Sequence, residues 1–133
     1  MKELGEVVEK LVEKMRIFAI ILFGSRVRGD WGPWSDYDIL VVGEFEEPYL
    51  ERIGRILEIL SEISLPIEPH PYTLDEIKEM LLKGNPLVVD ALEEGRPLYV
   101  TERFREVEEL FWELKRKGLR RSSTSIILPK QEE

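Results

Sequence analysis

Residues 17–23 read IFAIILF, carry no polar side chain and stop at Gly24. A run this short and this apolar reads as a strand hidden on both faces. Such a strand needs cover on either side, and the neighbouring segments have the spacing to supply it. Leu4, Val7, Val8, Leu11, Val12 and Met15 recur at helical intervals before the run, with charged residues mostly on the other face. A second strand follows at 36–42, DYDILVV, and Gly43 closes it. Between the two strands, residues 24–35 form a loop with a short helix starting at Ser25.

Downstream, Leu50, Ile53, Ile56, Leu57 and Leu60 share one face of a helix running from Pro48 to about Ile63. Leu65 to Tyr72 reads as a short strand, and its three prolines place it at a sheet edge or make it interrupted. Thr73 and Glu76 have capping-box spacing ahead of Leu74, Ile77, Met80 and Leu81. Lys83-Gly84 ends that helix. Asn85-Pro86 starts another, with Asn as N-cap and Pro at the first helical position. A last short strand at Pro97 to Val100 precedes a final helix over 102–117. Strands and helices mix without strict alternation, so the expected class is α+β, a small mixed sheet flanked by helices. Residues 1–117 form the expected domain, and 118–133 the expected flexible tail.

Composition then prunes the chemistry. The 133 residues contain no cysteine and one histidine, His70. Disulfides, thiolate metal sites, Cys nucleophiles and multi-His zinc sites are excluded. No apolar run approaches the ~18 residues of a membrane span, so a soluble cytoplasmic protein is expected. A net charge of −8 argues against generic nucleic-acid binding. Hard-cation chemistry on carboxylates remains.

One stretch concentrates that chemistry: Gly24-Ser25, ten residues, then Asp36-Tyr37-Asp38. A glycine after a buried strand allows a tight turn and close approach to its backbone. A helix starting at Ser25 leaves free amides that favour phosphate, and Arg26 and Arg28 lie just beyond. Asp36 and Asp38, at i and i+2 of the expected strand, point to one face with Cα atoms roughly 6.6 Å apart. Unpaired, they repel by about 2.5 kcal/mol at an effective dielectric of 20. Either they face Arg26 or Arg28 as a solvated strand start, or a cation sits between them; Mg²⁺, which takes carboxylates, waters and substrate phosphates, suits the second case.

Gly24-Ser25-Arg26-Val27-Arg28-Gly29 followed by Ser35-Asp36-Tyr37-Asp38-Ile39-Leu40-Val41 resembles the nucleotidyltransferase superfamily of the DNA polymerase β type. It is most similar to the small prokaryotic minimal nucleotidyltransferases, with their GS-x10-DxD pattern. Asn85-Pro86 through Asp90, Glu94-Gly95 and Leu98-Tyr99 resemble the downstream end of that domain. The resemblance implies a polymerase β-like fold over about residues 4–117, with Asp36 and Asp38 as metal-binding carboxylates. It also implies that Gly24 and Ser25, with Arg26 and Arg28, grip the nucleotide's phosphates. The family's third carboxylate, a general base or metal ligand on the next strand, matches Glu68 here. That position is usually Asp, and Pro-His-Pro replaces the usual apolar residues after it.

The implied function is transfer of a nucleoside monophosphate, AMP from ATP, with two Mg²⁺ ions. Such proteins often act as antitoxins that adenylylate a separately encoded helical HEPN partner. A chain without an appended acceptor domain suits an acceptor supplied in trans, and does not suit a long nucleic acid. A partner-binding module that keeps the fold without turnover is the alternative. Trp31 and Trp34 either stack on a base or pack locally. His70 lies two residues past Glu68 on the same strand face, either titrating near the site or simply satisfied within its strand. Lys115, Arg116, Lys117, Arg120 and Arg121 form either a partner contact or a solvated helix end.

Overall fold

The computed structural model describes residues 2–122 and 125–130. Helix α1 (Lys2–Lys14) leads into β1 (Ile17–Phe23), the short helix α2 (Ser25–Arg28) and β2 (Tyr37–Gly43). Helix α3 (Tyr49–Ile59), β3 (Ile67–Tyr72), α4 (Leu74–Leu82) and α5 (Pro86–Glu94) follow. Then come β4 (Arg96–Val100), a 3-10 turn at Glu102–Phe104 and α6 (Arg105–Arg116). The four-stranded sheet has the order β3-β2-β1-β4. Strand β1 is antiparallel to both β2 and β4, whereas β2 and β3 run parallel. This is the mixed α+β arrangement expected from the sequence.

The apolar run fills the centre of the sheet, and every residue of β1 is buried. On one side Phe18, Ile21, Phe23, Leu40 and Val42 meet Leu74, Ile77 and Leu81 of α4, Val88 and Ala91 of α5, and Val107 and Phe111 of α6. On the other, Ile17, Ile20, Leu22, Tyr37, Ile39 and Val41 meet Leu4, Val7 and Leu11 of α1 and Ile56 of α3. The alternation of strand side chains explains this division. A register shift between Ile17 and Ala19 lets the neighbours Phe18 and Ala19 face the same layer.

The caps follow the local sequence. Thr73 and Glu76 form a full capping box, and the Asn85 side chain accepts from the amides of Leu87 and Val88. Strand β3 is an edge strand, as its prolines require. Helix α3 ends at Ile59, before the expected Ile63; the chain turns at Leu60, and Ile63 still packs on the core through that turn. Of the expected tail, Arg120–Arg121 pairs antiparallel with Ile126–Ile127 and Leu119 is buried. Positions 123, 124 and 131–133 of that tail lie outside the described residues. Among the described residues no helix is long and apolar enough to cross a membrane.

Arg52 fastens β3 to its surroundings. It is only 8% exposed and donates from Nε to the Glu47 carbonyl at 2.8 Å and from Nη1 to Glu76 Oε1 at 2.7 Å. Glu76 also accepts from the Thr73 amide at 2.8 Å, so one carboxylate serves both cap and clamp. Removing one partner of a fully buried pair costs roughly 3–5 kcal/mol. The Glu76 side chain is 42% exposed, so the expected loss for Arg52→Met is smaller, about 2 kcal/mol. The Arg52 bond holds the Glu76 carboxyl below its ordinary value of 4.5. That contribution is therefore present above about pH 4.5 and disappears as the pH falls through the depressed native value. Urea melts should show the wild type losing more stability than Arg52→Met over that acid range; parallel pH profiles would refute the clamp.

Candidate active site

The sheet register assembles the site. Phe23, the last residue of β1, lies opposite Asp38 of β2. Across the parallel pair, Asp38 lies beside Glu68 and Leu40 beside His70. Asp38 alternates onto the face of Leu40 and Val42, at the end of the sheet where their apolar layer stops. Glu68 and His70 alternate onto one face of β3, so three polar side chains converge. Ligand atoms of Asp38, Glu68 and His70 all lie within 4.8 Å of one another.

The imidazole closes the group. His70 Nε2 is 3.0 Å from Asp38 Oδ1, and the His70 ring packs on Phe23 with centroids 5.2 Å apart. Burial pushes the Asp38 carboxyl up, but the bonds with His70 and then Glu68 outweigh it and hold Asp38 below its ordinary value. Glu68 moves the opposite way: the hydrogen bond with Asp38, then burial, then the Asp38 charge push it up. Two carboxylates side by side hold both charges poorly unless a cation joins them. The donor set of two carboxylates and an imidazole, gathered this closely, fits a divalent cation.

The other expected residues surround this group. Gly24 has φ 82 and ψ −157, a conformation open essentially to glycine alone. A Cβ there would stand 2.6 Å from Asp38 Oδ2. One Asp38 oxygen thus faces His70 and the other the Gly24 backbone. The first amides of α2, those of Ser25 and Arg26, have no intrahelical acceptor. The Ser25 hydroxyl has no hydrogen-bond partner among the described residues.

Asp36 is exposed and precedes β2 rather than belonging to it. The ladder opens one residue later, with the Tyr37 amide bonded to the Pro66 carbonyl at 2.8 Å. Asp36 stands outside the converging trio, yet its charge helps to raise Glu68. Arg26 is engaged within its own loop. It donates from Nη2 to the Ser35 carbonyl at 2.7 Å and lies over the rings of Trp31, at 4.6 Å, and Tyr37, at 4.2 Å. It therefore ties Trp31 and Ser35 of the 29–35 loop to α2. Arg28 pairs with Asp30 and Glu94, and its charge still lowers Asp38. Trp34 is 83% exposed.

His70 is the residue whose involvement the sequence leaves open. The available signal is its position two residues past Glu68 on one strand face. The basic segment is largely matched by acids: Lys115 pairs with Glu93, Lys117 with Glu113 and Arg121 with Asp90.

Comparisons with known proteins bear on the family and the fold. The nucleotidyltransferase domain family matches residues 2–99. The Methanocaldococcus jannaschii protein MJ0604, named by inference as a protein adenylyltransferase, is 34% identical over 102 residues, spanning 74% of this chain and 96% of its own. A chain of a toxin–antitoxin complex crystallised with AMP-PNP superimposes with a TM-score of 0.59 at 17% identity, covering 85% of this chain and 83% of that one. A chain from the Shewanella oneidensis complex of a tri-AMPylated HEPN toxin with its MNT antitoxin gives 0.51 at 16% identity, covering 85% and 82%. At those identities the two solved structures speak for the fold.

Proposed function

The chain belongs to the nucleotidyltransferase domain family, and on that footing we propose that it moves AMP from ATP to a hydroxyl of a partner protein. The observation that carries this reading is the Asp38–Glu68–His70 group packed against the Gly24 backbone at the end of the sheet. Asp38 and Glu68 hold divalent metal, with Asp36 at the mouth of the site. Ser25 and the free amides of α2 take the terminal phosphates, and Arg28 adds positive charge at their edge. Arg26 contributes by fixing the loop between Ser25 and Asp36.

In the reaction an acceptor oxygen forms a bond to the α-phosphorus, the bond to the β-phosphate oxygen breaks, and pyrophosphate leaves. The acceptor's proton passes to solvent water. A divalent metal held by Asp38 and Glu68 would supply the charge neutralisation that phosphoryl transfer needs. A partner of the HEPN type suits this reading because MJ0604 is named for transfer to protein and a superimposing structure pairs an MNT antitoxin with an AMPylated HEPN toxin. A cytoplasmic, ATP-supplied setting goes with it.

The test is incubation of the protein with Mg²⁺, α-labelled ATP and its candidate partner, beside the Asp36→Asn/Asp38→Asn variant. Label on the partner that vanishes in the variant is the expected result. A stable complex without label in either sample would favour a partner-binding module instead. A thermal melt gives an independent check. ATP with Mg²⁺ at a hundred times its dissociation constant should stabilise the wild type by about 2.7 kcal/mol. An unchanged melting temperature at millimolar ATP would remove the nucleotide site.

A further inference from the structure

We propose that His70 is a direct nitrogen ligand of a metal position shared with Asp38 and Glu68, and that this position prefers Mn²⁺ to Mg²⁺. The inference rests on the metal-assisted reading above and specifies which ion the chain's own donors select. Three observations lead to it. First, His70 Nε2, Asp38 and Glu68 present their donor atoms within 4.8 Å of one another. Second, Nε2 stands 3.0 Å from Asp38 Oδ1. Adjacent corners of an octahedron with bonds of ~2.1 Å are about 3.0 Å apart, so both atoms can serve one ion as neighbouring ligands with little movement. Third, the imidazole is held in place: its side chain is only 15% exposed, and its ring rests on Phe23. Its neighbours Pro69 and Pro71 are buried on the opposite face of β3, which leaves His70 on the face of the carboxylates.

Donor chemistry then chooses the ion. Carboxylate and water oxygens suit Mg²⁺, Ca²⁺ and Mn²⁺ alike, whereas an imidazole nitrogen suits the first-row series that Mn²⁺ opens, and Fe, Ni, Cu and Zn most strongly. Mg²⁺ dehydrates reluctantly and favours oxygen. Mn²⁺ accepts both donor types and keeps the six-coordinate geometry that leaves room for phosphate oxygens. A site with one nitrogen and two carboxylates therefore discriminates between the two ions, as an Asp-only site would not. The wider family pattern of paired aspartates does not require this histidine; the Pro-His-Pro sequence after Glu68 supplies it here.

The experiment titrates the full-length protein with Mn²⁺ alone and reads free and bound ion by electron paramagnetic resonance. Pulsed measurements on the bound ion look for ¹⁴N modulation, and competition with Mg²⁺ gives the relative affinities. The wild type is expected to show nitrogen modulation and tighter Mn²⁺ binding. His70→Gln keeps a polar group near Asp38 but removes the ring nitrogen. It should lose the modulation and bind Mn²⁺ more weakly by at least the roughly 10- to 100-fold that loss of an outer-shell partner causes, with a much smaller change for Mg²⁺.

Equal losses for both ions would make His70 only a positioning residue for Asp38 and overturn the proposal. So would a wild-type Mn²⁺ signal without nitrogen modulation, or no Mn²⁺ binding. The wild-type spectrum decides the matter even if the variant folds poorly. The transfer reading is tested separately by AMP labelling with Mg²⁺. Nitrogen modulation without labelling would sink that reading and leave this one, while labelling without nitrogen modulation would do the reverse.

Discussion

Asp38→Asn is expected to lower nucleotidyl transfer by about 1,000-fold or more, with little loss of stability. The substitution keeps the side chain's shape and removes its charge. That charge is the one Glu68 and His70 both address. Removing a preorganised electrostatic group from a reacting centre typically lowers the rate by about 100- to 1,000-fold, and on the proposed reading the same change would also weaken metal binding. Stability should respond differently. The introduced amide would relieve the crowding of like charge with Glu68 while weakening the bond to His70. These effects oppose, so the folding free energy should move by about 1 kcal/mol or less. Labelled AMP transfer and a thermal melt on the same sample check both halves. A variant that retains a tenth of the wild-type rate would place the reaction elsewhere.

Gly24→Ala should damage both stability and transfer, for separable reasons. The backbone conformation at Gly24 is open essentially to glycine alone, and holding another residue there costs about 1–3 kcal/mol. The new methyl would also meet Asp38 Oδ2 at 2.6 Å, so the carboxylate has to move. Displacing a reacting group by about 1 Å lowers rates by about 100-fold. Gly29→Ala is the matched control. It also has positive φ, at 86, but nothing lies within 4 Å of its Cβ position. Gly29→Ala should therefore lower the melting temperature and leave the turnover of folded protein nearly intact. Equal rate losses in both variants would mean that strain alone, rather than the displaced carboxylate, is responsible.

Local signals in the chain were legible wherever the physics is local. The capping box at Thr73 and Glu76, the Asn85-Pro86 helix start and the wholly buried run 17–23 all lie where their spacing puts them. Helix α3 shows the limit of periodicity: apolar spacing runs on to Ile63 because that residue is packed, although the helix has already ended. Spacing reports burial, and burial persists through a turn. The site divides in the same way. Gly24, Ser25 and Asp38 are readable from one segment, but the partnership of Asp38 with His70 depends on the parallel register of β2 and β3, which no single stretch encodes. Arg26 illustrates competition between roles. Its neighbours in sequence suggest phosphate, while the fold surrounds its guanidinium with Trp31, Tyr37 and the Ser35 carbonyl.

The prolines of β3 have a consequence for what can join that margin of the sheet. The Tyr37 amide bonds to the Pro66 carbonyl, so the even-numbered residues of β3 turn their backbone groups toward β2. Pro69 and Pro71 then occupy the positions whose amides would face outward, and they have none. That margin of the sheet cannot recruit an additional strand, which protects an edge strand from aggregation. On the proposed reading, an acceptor would therefore reach the carboxylates by a route other than strand addition along that margin.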